Sequence, residues 1–213
     1  MQTQSGLIFE ADMVVHGAGR VPEIESLKLE QIGVGVREKG IRVNPQMQTT
    51  MPNIFAVGDC AATPALAQVA DFEAHVAAKN ILAIRKNTAL ISVDYKAVPF
   101  VLFSYPQYGM VGATEETLKR AGIAYRKSMA VDVKWPTYRR AGIQHAGYKI
   151  LAAEDDTILG VHVVSDNPAG LINTFKQAII GGATVEKLYR DNIMSPYPSR
   201  ESDIIYMLKP LVK

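Results

Sequence analysis

The sequence predicts a two-part fold: an α/β region over residues 1–92, then an α+β region over residues 93–213 built on a mostly antiparallel sheet. Three observations predict it. The apolar run Ile54-Phe55-Ala56-Val57 is stopped by Gly58-Asp59, the form of a buried parallel strand ending at a site. The pattern changes character across residues 87–96. Beyond that point, short apolar runs alternate with turn residues, as they do in hairpins.

Each element has a local reason. Leu7-Ile8-Phe9 and Met13-Val14-Val15 are short apolar runs and read as strands. Residues 16–22 form a turn marked by Gly17, Gly19 and Pro22. A weakly helical stretch follows. Arg42-Val43 reads as a short strand, set between Gly40 and Asn44-Pro45. Thr63 as N-cap and Pro64 at the first helical position start a long helix that runs to about Arg85. In the second part, strands are expected near residues 100–103, 109–111, 128–133, 148–152 and 158–164. The last two join into a hairpin through Glu154-Asp155-Asp156. Helices are expected over residues 114–121, 168–180, 184–189 and 199–208. Glu115 and Glu116 suit the first turn of the helix after Thr114, where the dipole favours acid. That pair and Glu154-Asp155-Asp156 read as solvated turns.

Composition excludes several classes of function. With 48% hydrophobic and 21% charged residues, the 213-residue chain is not a disordered one. A net charge of +2 without a basic stripe argues against nucleic-acid binding. Basic residues cluster only in pairs, such as Arg139-Arg140, which argues against an anionic membrane surface. The single cysteine, Cys60, excludes an internal disulfide and a cysteine-rich zinc site. No run of 18 apolar residues exists, and MQTQSGLIFE has neither the basic nor the apolar part of a signal peptide. A cytoplasmic setting is the expectation. His16, His75, His145 and His162 lack ligand spacing and read as surface or packed residues.

Two segments invite a chemical reading. Gly17-Ala18-Gly19-Arg20-Val21-Pro22 follows a strand-like run but has Pro22 where a dinucleotide fingerprint needs its third glycine. It reads as a crossing turn. The second segment, from Thr49 to Cys60, delivers Asp59 to the carboxyl end of a strand, where ligands of parallel sheets sit. Gly58 permits close backbone approach, and the helix beginning near Ala65 aims its first amides at an anion or a polar ring edge. Asp59 either accepts a hydrogen bond from a sugar-like hydroxyl or caps that helix.

TTMPNIFAVGDCA, residues 49–61, resembles the second flavin-binding motif of the pyridine nucleotide–disulfide oxidoreductases, a family that includes glutathione reductase, dihydrolipoamide dehydrogenase and mercuric reductase. VVHGAGRVPEIESLKLEQIGV resembles the segment leaving the nicotinamide domain of such enzymes. FSYPQYGMVGATEETLKRAG resembles the start of their dimerisation domain, and INTFKQAIIGGATVEKLYRDNIMSPYPSRESD resembles its end. The resemblance implies that residues 1–92 are partial nicotinamide and FAD domains and that residues 93–213 are the dimerisation domain. It implies FAD as cofactor, NAD(P)H as electron donor in the complete enzyme, and a homodimer. Asp59 would bond the ribityl chain, with Gly58 beside it, and Leu66 and Ala67 would present backbone groups near the flavin ring. Arg20 and Pro22 match a structural GRxP turn.

The departures are informative. Complete members are roughly twice as long, and their N-terminal half carries two glycine fingerprints and a redox cysteine pair, none of which is present. The expected partner is that half, and the chain alone is expected to be inactive. At the C-terminal signature, members carry a histidine and, a little later, a glutamate. Here Tyr197 takes the histidine position and Ser202 the glutamate position, flanked by Glu201 and Asp203. An unperturbed tyrosine ionises near pH 10 and is a poor neutral-pH proton shuttle, though it donates one hydrogen bond. Tyr197 and Glu201 are the candidates near the acceptor; packing at a subunit interface is the other reading of Tyr197. Mercuric reductases also have tyrosine there, but with a terminal cysteine pair that this chain lacks. Trp135 is either an aromatic at a dimer face or core filler. A stand-alone, non-catalytic dimerisation or scaffold module is the alternative function.

Overall fold

The computed structural model describes residues 1–213, and the chain divides into two compact units, Met1–Val93 and Asp94–Lys213.

The first unit is organised by one long helix and a small apolar cluster. Strands β1 (Val36–Arg37) and β2 (Gly40–Ile41) form a two-residue antiparallel hairpin. Ile41 then bridges in parallel to Ala61. Gly40 makes that approach possible: its φ is +126°, and a Cβ there would lie 2.5 Å from the Cys60 carbonyl oxygen. Leu29, Val34, Ile41, Ala56 and Ala61 form the cluster. Helix α1 (Ala67–Lys86) ends at Asn87, a left-handed C-cap whose N–H bonds the last turn. Asn80, wholly buried on α1, ties down the chain beside it. Its Nδ2 donates to the carbonyls of Gln46 (3.0 Å) and Ile91 (2.8 Å), and its Oδ1 accepts from the Ile91 N–H at 2.9 Å.

Several expected elements of this unit do not form. Leu7-Ile8-Phe9 is not a strand but doubles back on residues 1–3 through three backbone bonds and one isolated bridge, Gln2 to Ile8, too short for a ladder; Met13-Val14-Val15 is not a strand either. Ile54-Phe55-Ala56-Val57 is not a parallel strand either. The backbone there folds back on the preceding turn: the Ile54 N–H donates to Met51, the Ala56 N–H to Met47, and Phe55 bridges Gln48 in antiparallel sense. The strand expected at Arg42-Val43 lies earlier, at Gly40–Ile41. Helix α1 starts at Ala67, not at Pro64, because tight turns occupy residues 61–66 and Leu66 is extended. Thr63 does not cap it; its Oγ1 is buried without a partner.

The second unit is a five-stranded antiparallel sheet in the order β3-β4-β7-β6-β5. The strands are β3 (Phe100–Leu102), β4 (Gln107–Gly112), β5 (Arg126–Ala130), β6 (Gly147–Ala152) and β7 (Ile158–Ser165). Central β7 pairs Val163 with Gly109 of β4 and Tyr148 of β6. Period-two alternation sends Val111, Ile150, Val161 and Val163 to one face, where each is fully or almost fully buried. Helix α4 (Ala169–Ile180) covers that face with Leu171, Ile172, Phe175 and Ile179. Gly109 lets it sit close, since a Cβ there would meet Ile172 at 2.7 Å. Helix α6 (Ile204–Leu208) adds Ile204, Met207 and Leu208 to the same core. Each such side chain contributes about 2 kcal/mol of transfer free energy.

Helix α2 (Glu115–Arg120) opens on Thr114, which forms a reciprocal cap with Thr117. Helix α5 (Val185–Asn192) opens on Thr184, whose Oγ1 accepts from the Lys187 N–H. A further short helix, α3 (Pro136–Arg140), has proline at its first position. The expected last helix is divided into a 3-10 turn, Glu201–Asp203, followed by α6.

Two groups read as solvated turns are engaged. Glu115 bonds Lys149 Nζ at 2.7 Å and the Tyr125 hydroxyl at 2.8 Å; these contacts, led by that of Lys149, hold its pKa down at about 2. Asp156 pairs with Arg126 and with Lys213.

Candidate functional sites

In the first unit the candidate residues gather at the turn before α1. Gly58, Asp59 and Cys60 form one 3-10 turn. Gly58 is buried at φ +68°, and a Cβ on it would press on the Ala70 Cβ at 3.1 Å. Its N–H donates to Oε2 of Glu73, a carboxylate wholly buried on α1, at 2.7 Å. This bond locks the turn to the helix and leaves the Asp59 carboxylate outside, exposed. Its one ion-pair neighbour is Arg20 at 3.8 Å, both groups being largely solvated. Asp59 therefore does not cap α1. Leu66 is the extended residue that precedes the helix, and Ala67 is its exposed first residue. Gly58, Asp59, Leu66 and Ala67 thus lie along one short stretch, with the unpartnered Thr63 Oγ1 between them. Cys60 Sγ donates to the Val57 carbonyl. Sequence reasoning missed Glu73, because one carboxylate inside a helical run carries no local signal.

In the second unit the candidates lie on the segment that leads into α6. Tyr197 is exposed and precedes Pro198 through a cis peptide. The Arg140 guanidinium of α3 lies 5.7 Å from the Tyr197 ring centroid, within cation–π reach. Glu201 does not pair with Tyr197. Its carboxylate lies against the first turn of α4, where Gly170 leaves room; a Cβ at Gly170 would clash with Oε1 at 2.0 Å. Ser202 is consumed in a reciprocal turn with Ser199: each backbone N–H donates to the other's hydroxyl, and the Ser202 hydroxyl donates to the Ser199 carbonyl. Asp203 is wholly buried, its Oδ2 accepts from the Thr137 hydroxyl, and its Oδ1 has no partner. Burial raises its carboxyl above the usual range.

Arg200 anchors this segment. Its Nε and Nη2 bond the two oxygens of Asp166, each at 2.9 Å, and its guanidinium covers the Tyr138 ring at 4.1 Å. That bidentate geometry fixes Arg200 and lowers the Asp166 carboxyl below its ordinary value. Trp135 stacks on Tyr148 at 5.6 Å and also meets Tyr138 and Tyr206, so it belongs to the half-buried edge of the core. No group of three or more histidine, cysteine, aspartate or glutamate side chains is arranged to hold a metal ion. No helix is long and apolar enough to cross a membrane.

Two family models match the chain. Residues 1–74 match the family model for pyridine nucleotide-disulphide oxidoreductases, and residues 98–203 match the model for the dimerisation domain of the same enzymes. A 19.7 kDa protein of a mercuric resistance operon from Staphylococcus aureus is 33% identical over 186 residues, covering 85% of this chain and all of that protein. Mitochondrial dihydrolipoyl dehydrogenase 1 of Arabidopsis thaliana is 38% identical over 190 residues; 86% of this chain spans only 36% of that enzyme. Among solved structures, LpdA of Mycobacterium tuberculosis superposes on the whole chain with a TM-score of 0.84 at 21% identity, over 45% of its own length. That likeness is one of fold.

Proposed function

The chain belongs to the pyridine nucleotide-disulphide oxidoreductase family, and from that premise we propose that it supplies part of the flavin site and the dimer interface of an FAD-dependent NAD(P)H oxidoreductase. The flavin, when bound, passes electrons from the nicotinamide to the acceptor. The observation that carries the reading is the Gly58–Asp59 turn. The buried Glu73 carboxylate holds the Gly58 N–H, so the Asp59 carboxylate is free to accept a hydrogen bond from a ribityl hydroxyl. The missing Cβ at Gly58 lets the turn sit against Ala70 of α1, which fixes where Asp59 stands, and the half-buried Leu66 and exposed Ala67 leave an edge open to an approaching ring.

The rest of the flavin surface, the cysteine pair and the nicotinamide site come from polypeptide outside residues 1–213 in this reading, so the chain alone is inactive. Two copies pair through the second unit, and Tyr197 with Glu201 stands on the acceptor side. The lone cysteine supports a cytoplasmic setting. A second reading, a stand-alone dimerisation or scaffold module, is favoured by the Staphylococcus aureus relative, which matches along its whole length.

Absorbance decides between them. The purified chain is titrated with FAD, alone and mixed with the N-terminal half of a dihydrolipoyl dehydrogenase. The expected result is a protein-bound flavin spectrum in the mixture, with affinity about tenfold lower for Asp59→Ala, the loss of one hydrogen bond to a charged group. A mixture that retains no flavin once free FAD is removed, with unchanged chain mass, overturns the enzymatic reading and leaves the scaffold.

A further inference from the structure

We propose that the recess beside Tyr197 binds a carboxylate-bearing acceptor, and that Arg140 is the residue that holds the carboxylate; the acceptor role of the recess rests on the reading of Tyr197 above.

The recess has a volume of about 400 Å³, and Thr137, Arg140, Asp166, Pro198 and Arg200 are among its lining residues. Two guanidinium groups therefore face one space, but their charges are matched differently. Arg200 is neutralised by both oxygens of Asp166 and is fixed over Tyr138. Arg140 is exposed and makes no ion pair; its contact is with the Tyr197 ring. The nearby carboxylates are engaged elsewhere. Asp166 is committed to Arg200, Asp203 is buried behind Thr137, and Glu201 lies against Gly170. The recess thus carries one uncompensated positive charge, on Arg140, whose guanidinium also meets the Tyr197 ring.

That combination selects a ligand class. A guanidinium presents a planar fork of donors that matches a carboxylate in two parallel hydrogen bonds, and the aromatic face at its side limits how far it swings. An uncharged acceptor leaves the guanidinium to water and gains nothing from it. Arg139, the adjacent basic residue of α3, does not line the recess, so the two arginines are distinguishable.

The test uses the full chain and no flavin. The probe is thiodiacetate, a dicarboxylate thioether that cannot exchange with Cys60, with its uncharged diamide as control. Arginine Nε–H and tyrosine ring signals are followed by NMR. The expected result is saturable movement of the Arg140 and Tyr197 signals with the dicarboxylate and none with the diamide. Affinity falls about tenfold in Arg140→Gln, falls less in Arg140→Lys, and is unchanged in Arg139→Gln. Arg140 is exposed, so thermal unfolding of the variants should match the parent and exclude a folding defect. An equal response to the diamide overturns the proposal. So does a non-saturating response shared by all arginines, or an Arg140→Gln chain that binds normally. A change in oligomeric mass without a change in probe binding assigns Arg140 to a subunit interface and also overturns it. A chain that passes here and fails the flavin titration places the error in the flavin reading; the converse places it in the recess.

Discussion

Asp203 and Glu115 are carboxylates that the fold drives in opposite directions, and each has its own pH signature. Asp203 is wholly buried with one oxygen unpartnered, and its carboxyl is raised above 3.8 mainly by desolvation. A raised acid keeps its proton longer in the folded state than in the unfolded one. Its contribution to stability is complete below the unfolded pKa and is lost as pH rises through the folded pKa. Asp203→Asn keeps an acceptor for Thr137 and removes the ionisation. The variant should be more stable than the parent at neutral pH by about 1 kcal/mol, and the gap should close as pH falls to about 4. Urea unfolding at both pH values checks it. Glu115 is the mirror case. Lys149, then Tyr125, hold its pKa at about 2, so its contribution is present above the unfolded carboxylate pKa and is lost as pH falls through about 2. Carboxyl NMR should place the Glu115 midpoint there, and Glu115→Gln should flatten stability over that acid range. Neither behaviour was legible in the sequence. Asp59, Tyr197 and Glu201 stood out through motif position, whereas Glu73, Arg140, Asp166 and Arg200 act across long sequence separations and showed no local pattern.

At the scale of elements, the sheet and its covering helix carry the second unit. Phe175 of α4 is wholly buried among Leu171, Ile172 and the inward side chains of the sheet. Phe175→Ala should cost about 3–5 kcal/mol, read as a lower urea midpoint with an unchanged slope. In the first unit, Asn80→Ala removes three hydrogen bonds that join α1 to Gln46 and Ile91. It leaves the Ile91 N–H unpaired and should cost about 2–3 kcal/mol; hydrogen exchange at Ile91 should accelerate first. These elements also show why reading the sequence succeeded unevenly. Strands β3 to β7 were legible because short, largely apolar runs stand there between turn residues, and because Glu154-Asp155-Asp156 makes a short hairpin turn. Helix α2 was legible through the acid of its first turn, Glu115-Glu116, while the threonine caps of α2 and α5 emerged only in the structure. In the first unit the apolar runs were read correctly as apolar but wrongly as strands. A strand needs a neighbour, and no local pattern reveals that the neighbour is missing. The Ile54 run instead satisfied its amides on the turn at Met47 and Met51. Helix α3 was missed because five residues are too few for periodicity, although Trp135-Pro136 carried a start signal.

At the scale of the whole molecule, unpaired apolar surface recurs in both units. Ile8, Met13, Val14, Val15 and Val21 are more than half exposed, and α1 exposes Phe72, Ile81, Leu82 and Ile84. In the second unit Phe103, Met129, Val131 and Met194 are likewise exposed, Met194 at 90%. Single exposed apolar residues are ordinary, but runs of them mark surfaces that bind protein. With a formal net charge of only +2, electrostatic repulsion does little to keep chains apart. The chain should therefore associate, and light scattering at micromolar concentration should give a mass of at least two chains. The driving force is removal of apolar area, so sulfate should strengthen association and moderate sodium chloride should leave it nearly unchanged. Met194→Glu tests whether the segment before Tyr197 takes part. A glutamate at so exposed a position costs the folded unit little, so thermal unfolding should hold while the mass falls toward one chain. A parent chain that is monomeric at high micromolar concentration would sink the pairing through the second unit, and would require its exposed apolar residues to be covered by a different polypeptide.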